Sequence, residues 1–273
     1  MGDKSKIEWL DGGASWNPIT GCTPISEGCA NCYARTMAET RLRGMFGYDK
    51  EDPFKITYHF NKLEQPLKWK KPRKIFVCSM GDLFHEDVPT GLIIDIFGVI
   101  TGADQHTFLI LTKRPERMKS FMEYINRFRT TPLKNVWLGV TAENDRTADE
   151  RIPILLDTPA AKRFVSVEPM LESVDILHYL PEYDYRPTYE YYQKAYPNCG
   201  KSPIQIKPGL DWVICGAETG QNARSMDLKW ARGLRDQCAE SNVPFFFKKA
   251  GPNNTPIPDD LMIREYPDYE QQI

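Results

Sequence analysis

The stretch "TFLILTKRPERMKSFMEYI" (residues 107–125) contains the fold in miniature. Its first six residues are apolar or β-branched with no polar alternation, as in a strand buried on both faces. Pro115 suits the first position of a helix, where its missing N–H is not needed. Beyond it Met118, Phe121, Met122, Ile125 and Phe128 recur at the spacing of one helical stripe. Strand, short polar turn and helix make one βα unit.

The unit repeats. After "SWNPIT" (15–20) come "KIFVCS" (74–79), "VWLGVT" (136–141), "RFVSV" (163–167), "WVICG" (212–216) and "PFFFK" (244–248), most of them continuous apolar runs. Between them "GLIIDIFGVI" (91–100) is apolar enough to pack closely on a sheet. Asp227 is a plausible N-cap for a helix through Leu228, Ala231, Leu234 and Cys238. Alternating strands and helices predict an α/β fold with a parallel sheet. Each strand runs into polar residues at its carboxyl end: Cys22, the Ser79–Asp82 segment, Lys113 and Arg114, Glu143 and Asn144, Glu168, Glu218, and Lys248 with Lys249. A β/α barrel gathers all such ends on one face, whereas an open doubly wound sheet concentrates function in one crevice. Seven polar ends favour the barrel, so the expectation is a partial (β/α) barrel of about six to seven parallel strands. It is read as a single domain over residues 1–273 with insertions at about 44–73 and 181–209.

The bulk numbers exclude several classes. Hydrophobic residues at 41% and charged residues at 26% are those of a globular protein. No apolar run approaches the roughly 20 residues needed to cross a bilayer, and "MGDKSKIEWLDGG" lacks the apolar stretch of a secretory signal. The reading is a soluble, cytoplasmic protein with no membrane partner. A net charge of −2 gives no global attraction to polyanions, so nucleic-acid binding would depend on a local patch. Seven unevenly spaced cysteines make a poor disulfide framework, and in a reducing compartment a tight group of them points to metal or redox chemistry.

That group is Cys22, Cys29 and Cys32 in "GCTPISEGCANCYAR" (21–35), spaced C-x6-C-x2-C. A C-x2-C pair aims two sulfurs at one ion. A closed zinc site or an ordinary 4Fe-4S site wants four ligands, and His59 and Cys78, the nearest further candidates, do not form a partner pair. Three ligands make sense where a substrate or cofactor supplies the last bond. The plainer alternatives are zinc or unrelated thiols.

A three-cysteine loop after the first strand of a β/α barrel resembles the radical S-adenosylmethionine superfamily. Its commonest spacing is C-x3-C-x2-C, so the first gap here is three residues longer. The "NP", "GC", "GC" and "CYAR" elements are similar to the loop of relatives of spore photoproduct lyase. The match is nearest to a phage-associated three-Cys-motif family, through "SMGDLF" (79–84), "LTKRPER" (111–117), "GVTAEN" (139–144), "SVEPML" (166–171), "DWVICGAETGQNARSM" (211–226) and "VPFFFKKAG" (243–251). That family more usually has Gly-Gly-Glu at 216–218 and Lys-Gln-Trp-Gly at 248–251, where this chain has Gly-Ala-Glu and Lys-Lys-Ala-Gly.

The resemblance implies an enzyme with a 4Fe-4S cluster on Cys22, Cys29 and Cys32 and S-adenosylmethionine chelated to the open iron. An electron from an external donor cleaves the sulfonium, and the resulting 5′-deoxyadenosyl radical takes hydrogen from a substrate. It implies an adenine contact for Tyr33, whose alternative is helix packing. Ser79, Gly81 and Asp82 become candidates for the methionine ammonium, although Asp82 also suits a turn cap. Lys113, with Arg114 behind it, is a candidate for the methionine carboxylate; a surface ion pair is the alternative. Glu143 matches the place of ribose contacts, and Asn144 suits a helix cap. Glu168 and Glu218 are candidates for substrate or cofactor, or else for internal salt bridges with Lys248 or Lys249. Cys78 and Cys215 are candidate hydrogen-atom donors, with plain core packing as the alternative.

Both insertions mix basic and aromatic residues. "LKWKKPRK" (67–74) sets Trp69 among five cations, and the later insertion interleaves Tyr185, Tyr189, Tyr191, Tyr192 and Tyr196 with Arg186, Lys194 and Lys201. Such a mixture suits phosphate and base contacts, with a solvated loop covering the barrel edge as the alternative, and the resemblance extends the first reading to a nucleic-acid base or nucleotide as substrate. The rival reading is a non-catalytic zinc- or cluster-binding module that binds DNA.

Overall fold

The computed structural model describes residues 5, 7–127, 129–181, 209–220, 222–252 and 255–267. The later insertion, with its tyrosines and Cys199, lies almost wholly outside them.

The strands in chain order are β1 (Ala14–Trp16), β2 (Ile19–Thr20), β3 (Thr57–Tyr58), β4 (Lys74–Val77), β5 (Thr107–Thr112), β6 (Val136–Thr141), β7 (Lys162–Val167), β8 (Trp212–Gly216) and β9 (Phe245–Lys249). Seven of them form one sheet in the order β1-β4-β5-β6-β7-β8-β9, every pair parallel. The order never reverses, so there is no topological switch point of the doubly wound kind. A sheet wound in one direction with its helices on one side is a barrel left open, and the seven strands form a partial (β/α) barrel. β2 and β3 make a small antiparallel pair beside it.

The helices between strands follow from local chemistry. α1 (Tyr33–Met37) and α2 (Phe60–Leu63) are short, and α3 (Thr90–Gly102) is the apolar segment expected at 91–100. α4 (Pro115–Asn126) starts at the proline. α5 (Asp145–Leu156) is opened by a capping box in which Asn144 and Thr147 each bond the other's backbone N–H. α6 (Leu228–Glu240) is capped by Asp227, which accepts from the Lys229 N–H.

The strands alternate between two dry faces. Ile75, Val77, Ile110, Leu138, Val165 and Val213 pack outward against the helices. Phe76, Leu109, Trp137, Phe164, Trp212 and Phe246 point inward and form a second core with Trp9 and Leu10 from the Glu8–Leu10 turn. The half-barrel is thus filled by aromatic rings, and Trp9 meets Phe76 edge-on with centroids 4.9 Å apart. Burial on both faces is why the strands read as continuous apolar runs.

Gly139, inward on β6, makes room for this packing: a Cβ there would stand 2.5 Å from the Phe164 ring. Gly139→Ala is expected to destabilise the fold by about 1–3 kcal/mol, read as a lowered Tm with the secondary structure retained.

The first insertion packs down rather than standing free. Trp69 is buried, 6.1 Å from the His106 ring, with the Arg73 guanidinium 4.9 Å over its face. An indole so covered offers no platform to a base, which corrects the stacking role drawn from "LKWKKPRK". The segment also precedes β4, so it lies at the amino end of the strands, opposite their polar carboxyl ends.

Candidate functional site

The carboxyl ends of β4 through β9 open into one cavity of about 460 Å³, within the range of small-molecule sites. Cys22, Cys29 and Cys32 line it, together with Tyr33, Ser79, Gly81, Asp82, Lys113, Glu168 and Glu218. The loop carrying the cysteines leaves β2 at Gly21, whose φ of +92° is open to glycine. A Cβ there would also run into the Lys55 carbonyl at 2.1 Å. The Gly21 N–H donates to the Met80 carbonyl at 2.9 Å, tying the loop to the segment after β4.

Asp82 and Arg114 form a buried hub. Asp82 accepts from the Phe84 N–H, the Thr112 hydroxyl, the Lys113 N–H and Arg114 Nη1. Arg114 is 5% exposed, and all five of its N–H groups have acceptors. Nε donates to Glu86, Nη1 to Asp82 and to the Cys22 sulfur at 3.5 Å, and Nη2 to the carbonyl and hydroxyl of Thr23. His85 Nδ1 accepts from the Asp87 N–H, so its Nε2 carries the proton donated to Thr23 Oγ1 at 2.7 Å. The hub holds the first half of the cysteine loop.

Glu143 has no exposed surface and does not line the cavity. Its Oε1 accepts from Lys113 Nζ and from the Ser26 hydroxyl, and its Oε2 accepts from Arg151. Burial pushes its carboxyl up, but Lys113, Arg151 and Ser26 together hold it below the ordinary value. Lys113, expected to meet a carboxylate of the cofactor, is engaged with one from its own chain.

The third hold is at β8. Glu218 accepts from Arg224 and from the Asn31 side-chain amide at 2.8 Å, and Arg224 also donates to the Glu27 carbonyl. Glu168 pairs with Lys248 at 2.5 Å. Lys249 also lines the cavity and has no carboxylate partner among the described residues. Ser26, Thr23, Arg151 and Arg224 were not singled out from the sequence. The lengthened first cysteine gap was the signal for Thr23 and Ser26 and the arginine in "NARSM" the one for Arg224, while Arg151 carried none.

The Cys22 thiol is pushed up to about 11 by burial and the Asp82 carboxylate. The Cys29 thiol lies below its usual value; burial opposes this, but hydrogen bonds from Ile25 and Ser26 and the Lys113 charge prevail. All three thiols are half-buried. Among the described residues no three His, Cys, Asp or Glu side chains close round a point as ligands of a single ion. One zinc, with Zn–S near 2.3 Å, would draw thiolates to within about 4 Å of each other. A cubane cluster takes each cysteine on a different iron, and the three thiols, one short of the usual four, line one cavity.

Tyr33, at the start of α1, donates its hydroxyl to the Ser79 carbonyl. Cys78 lines the cavity at the end of β4, with φ +56°, and burial pushes its thiol to about 12. Cys215 is wholly buried between the sheet and its helices, 3.7 Å from the Met170 sulfur, and does not line the cavity. No helix among the described residues is long and apolar enough to cross a membrane.

A family model described as "Protein of unknown function (DUF5131)" matches residues 4–260. The chain belongs to that family. No curated protein matches this DUF5131 member in sequence. Among solved structures it is similar to spore photoproduct lyase complexed with dinucleoside spore photoproduct, at 13% identity and TM-score 0.46, over 88% of this chain and 64% of that one. A singly substituted spore photoproduct lyase is similar at 14% identity and TM-score 0.46, over 90% and 78%. A doubly substituted one with bound AdoMet and dinucleoside spore photoproduct gives 12% and 0.43, over 88% and 64%. The DUF5131 member thus spans under two thirds of the length of the first of these.

Proposed function

We propose that this protein is a radical S-adenosylmethionine enzyme, with Cys22, Cys29 and Cys32 as the three protein ligands of a 4Fe-4S cluster. The observation that carries the reading is the opening of all three thiols into the cavity where six parallel strands end. When bound, such a cluster supplies the electron that cleaves the sulfonium of S-adenosylmethionine, and the cleavage yields a radical able to take hydrogen from a substrate.

The chain's own residues supply the rest. Phe54, Phe76 and Leu111 give the cavity apolar walls suited to a flat heterocycle, with Tyr33 at its edge. Ser79 and Gly81 line the cavity as candidates for an ammonium, with the Ser79 carbonyl already accepting the Tyr33 hydroxyl. Lys113 and Arg114 are already paired, so among the described residues lining the cavity Lys249 is the cation without a carboxylate partner and is proposed for a carboxylate or phosphate. The Glu168–Lys248 pair, partly exposed to the cavity, is free to exchange its ionic contact for polar groups of a ligand. Cys78 borders the cavity but is buried in the same core as Cys215, so both thiols are core residues in this reading. The substrate class, a nucleic-acid base or nucleotide, rests on the sequence resemblance of the cysteine loop.

The test is purification without oxygen, reconstitution with iron and sulfide, and addition of reductant and S-adenosylmethionine. A brown protein that releases 5′-deoxyadenosine is expected. A colourless protein holding one tight zinc would overturn the reading in favour of a zinc module.

A further inference from the structure

The cysteine loop is longer than the usual three-cysteine spacing by three residues, and those residues have a place in the fold. Ser26 precedes a single 3-10 turn, Glu27–Cys29, and its carbonyl accepts from the Cys29 N–H at 3.0 Å. The Ser26 hydroxyl does not cap that turn. It donates instead to Glu143 Oε1 at 2.6 Å, across 117 residues of sequence, and lies 3.7 Å from the Cys29 sulfur. Gly28 lies flat on the same carboxylate: a Cβ there would come within 2.4 Å of Glu143 Cγ and 2.5 Å of Oε1. Its φ is ordinary, so glycine is required by space and not by backbone conformation.

Glu143 is itself buried and held on every side. Lys113 and Arg151 hold its two oxygens, its N–H donates to Thr147 Oγ1, and its carbonyl accepts from the Leu171 N–H. A buried carboxylate with two cations is a rigid, net-positive base under the loop.

We propose that the lengthened gap is a seat: Ser26 and Gly28 dock the loop on Glu143, which acts as a positioning residue that fixes Cys29 at the cavity. The inference rests on the proposed function only in taking Cys29 as a cluster ligand. The added turn references the middle of the loop to the end of β6, between the holds at Thr23 and at Asn31. Glu143 acts through the loop and makes no contact with a ligand in the cavity.

Hydrogen–deuterium exchange on the full-length, metal-free protein tests this without any cluster. Ser26→Ala removes one hydrogen bond to a charged group and is expected to speed exchange in residues 23–31 by about tenfold or more, leaving β5 and β6 unchanged. Ser26→Thr, which keeps the hydroxyl, restores protection, and Gly28→Ala lifts the loop and reproduces the loss. After reconstitution, iron per protein falls in Ser26→Ala and Gly28→Ala and recovers in Ser26→Thr. Loop exchange within twofold of the parent in both Ser26→Ala and Gly28→Ala overturns the seat, whatever the iron content. If the parent binds no iron but its loop exchange responds as expected, the proposed function fails and the seat stands.

Discussion

Cys29→Ala will fold as the parent does, yet after anaerobic reconstitution it will lack the brown cluster absorbance and release no 5′-deoxyadenosine. The two halves of that expectation have separate causes. Cys29 is half-buried and belongs to none of the hydrophobic clusters, whereas Cys22 and Cys32 pack against the one around Ala34, Ala38, Tyr48, Phe54 and Met80. Its truncation therefore falls in the class of near-neutral changes, within about 0.5 kcal/mol. The metal site has no such tolerance, because three protein thiolates are already one fewer than a cluster ordinarily takes. Cys78→Ala, tested beside it for iron content, should retain the full amount. Cleavage of S-adenosylmethionine by Cys29→Ala would show that the ligands are assigned wrongly.

The largest effect on stability is expected at Arg114. Its five N–H groups join Glu86, Asp82, Thr23 and the Cys22 sulfur, and its side chain and that of Asp82 are both nearly inaccessible. Arg114→Ala leaves the Asp82 carboxylate buried without its cation, a change that typically costs about 3–5 kcal/mol. Lysine will not rescue it, because a point charge with three donors cannot span four acceptor residues set in a plane. Urea unfolding of the parent, Arg114→Ala and Arg114→Lys measures this directly. A loss under about 1 kcal/mol in Arg114→Ala would mean that the hub behaves as a surface ion pair. Asp82→Asn, which removes the charge but keeps the shape, should recover part of the loss when combined with Arg114→Ala.

Much of the architecture was readable because it is local. Pro115, Asn144 and Asp227 start helices through the missing N–H of proline and through caps that reach only two or three residues. The continuous apolar strands announced burial on both faces. The sequence placed the polar strand ends, the cysteines among them, on one face, and the cavity gathers most of them. Apart from the Glu168–Lys248 pair, which was one of the alternatives the sequence offered, their pairings were not legible. Lys113, read as a free cation for a cofactor, is held by Glu143, and Glu218 is held by Arg224 and Asn31. Trp69, read as a stacking surface, is turned into the protein beneath Arg73.

The sequence by itself determined most of the strands of the main sheet and its long helices, that this sheet is parallel, and that three cysteines stand on the loop that follows the "SWNPIT" segment. Those properties follow from hydrophobic period, proline and short-range caps, all carried within a few residues. Only the tertiary structure decided which charges neutralise one another and which remain for a ligand. Ser26 meets Glu143 across 117 residues and Asn31 meets Glu218 across 187, and contacts at such separations leave no periodic trace in the chain. They exist because the barrel brings its strand ends within hydrogen-bond reach, where a buried carboxylate must find a donor.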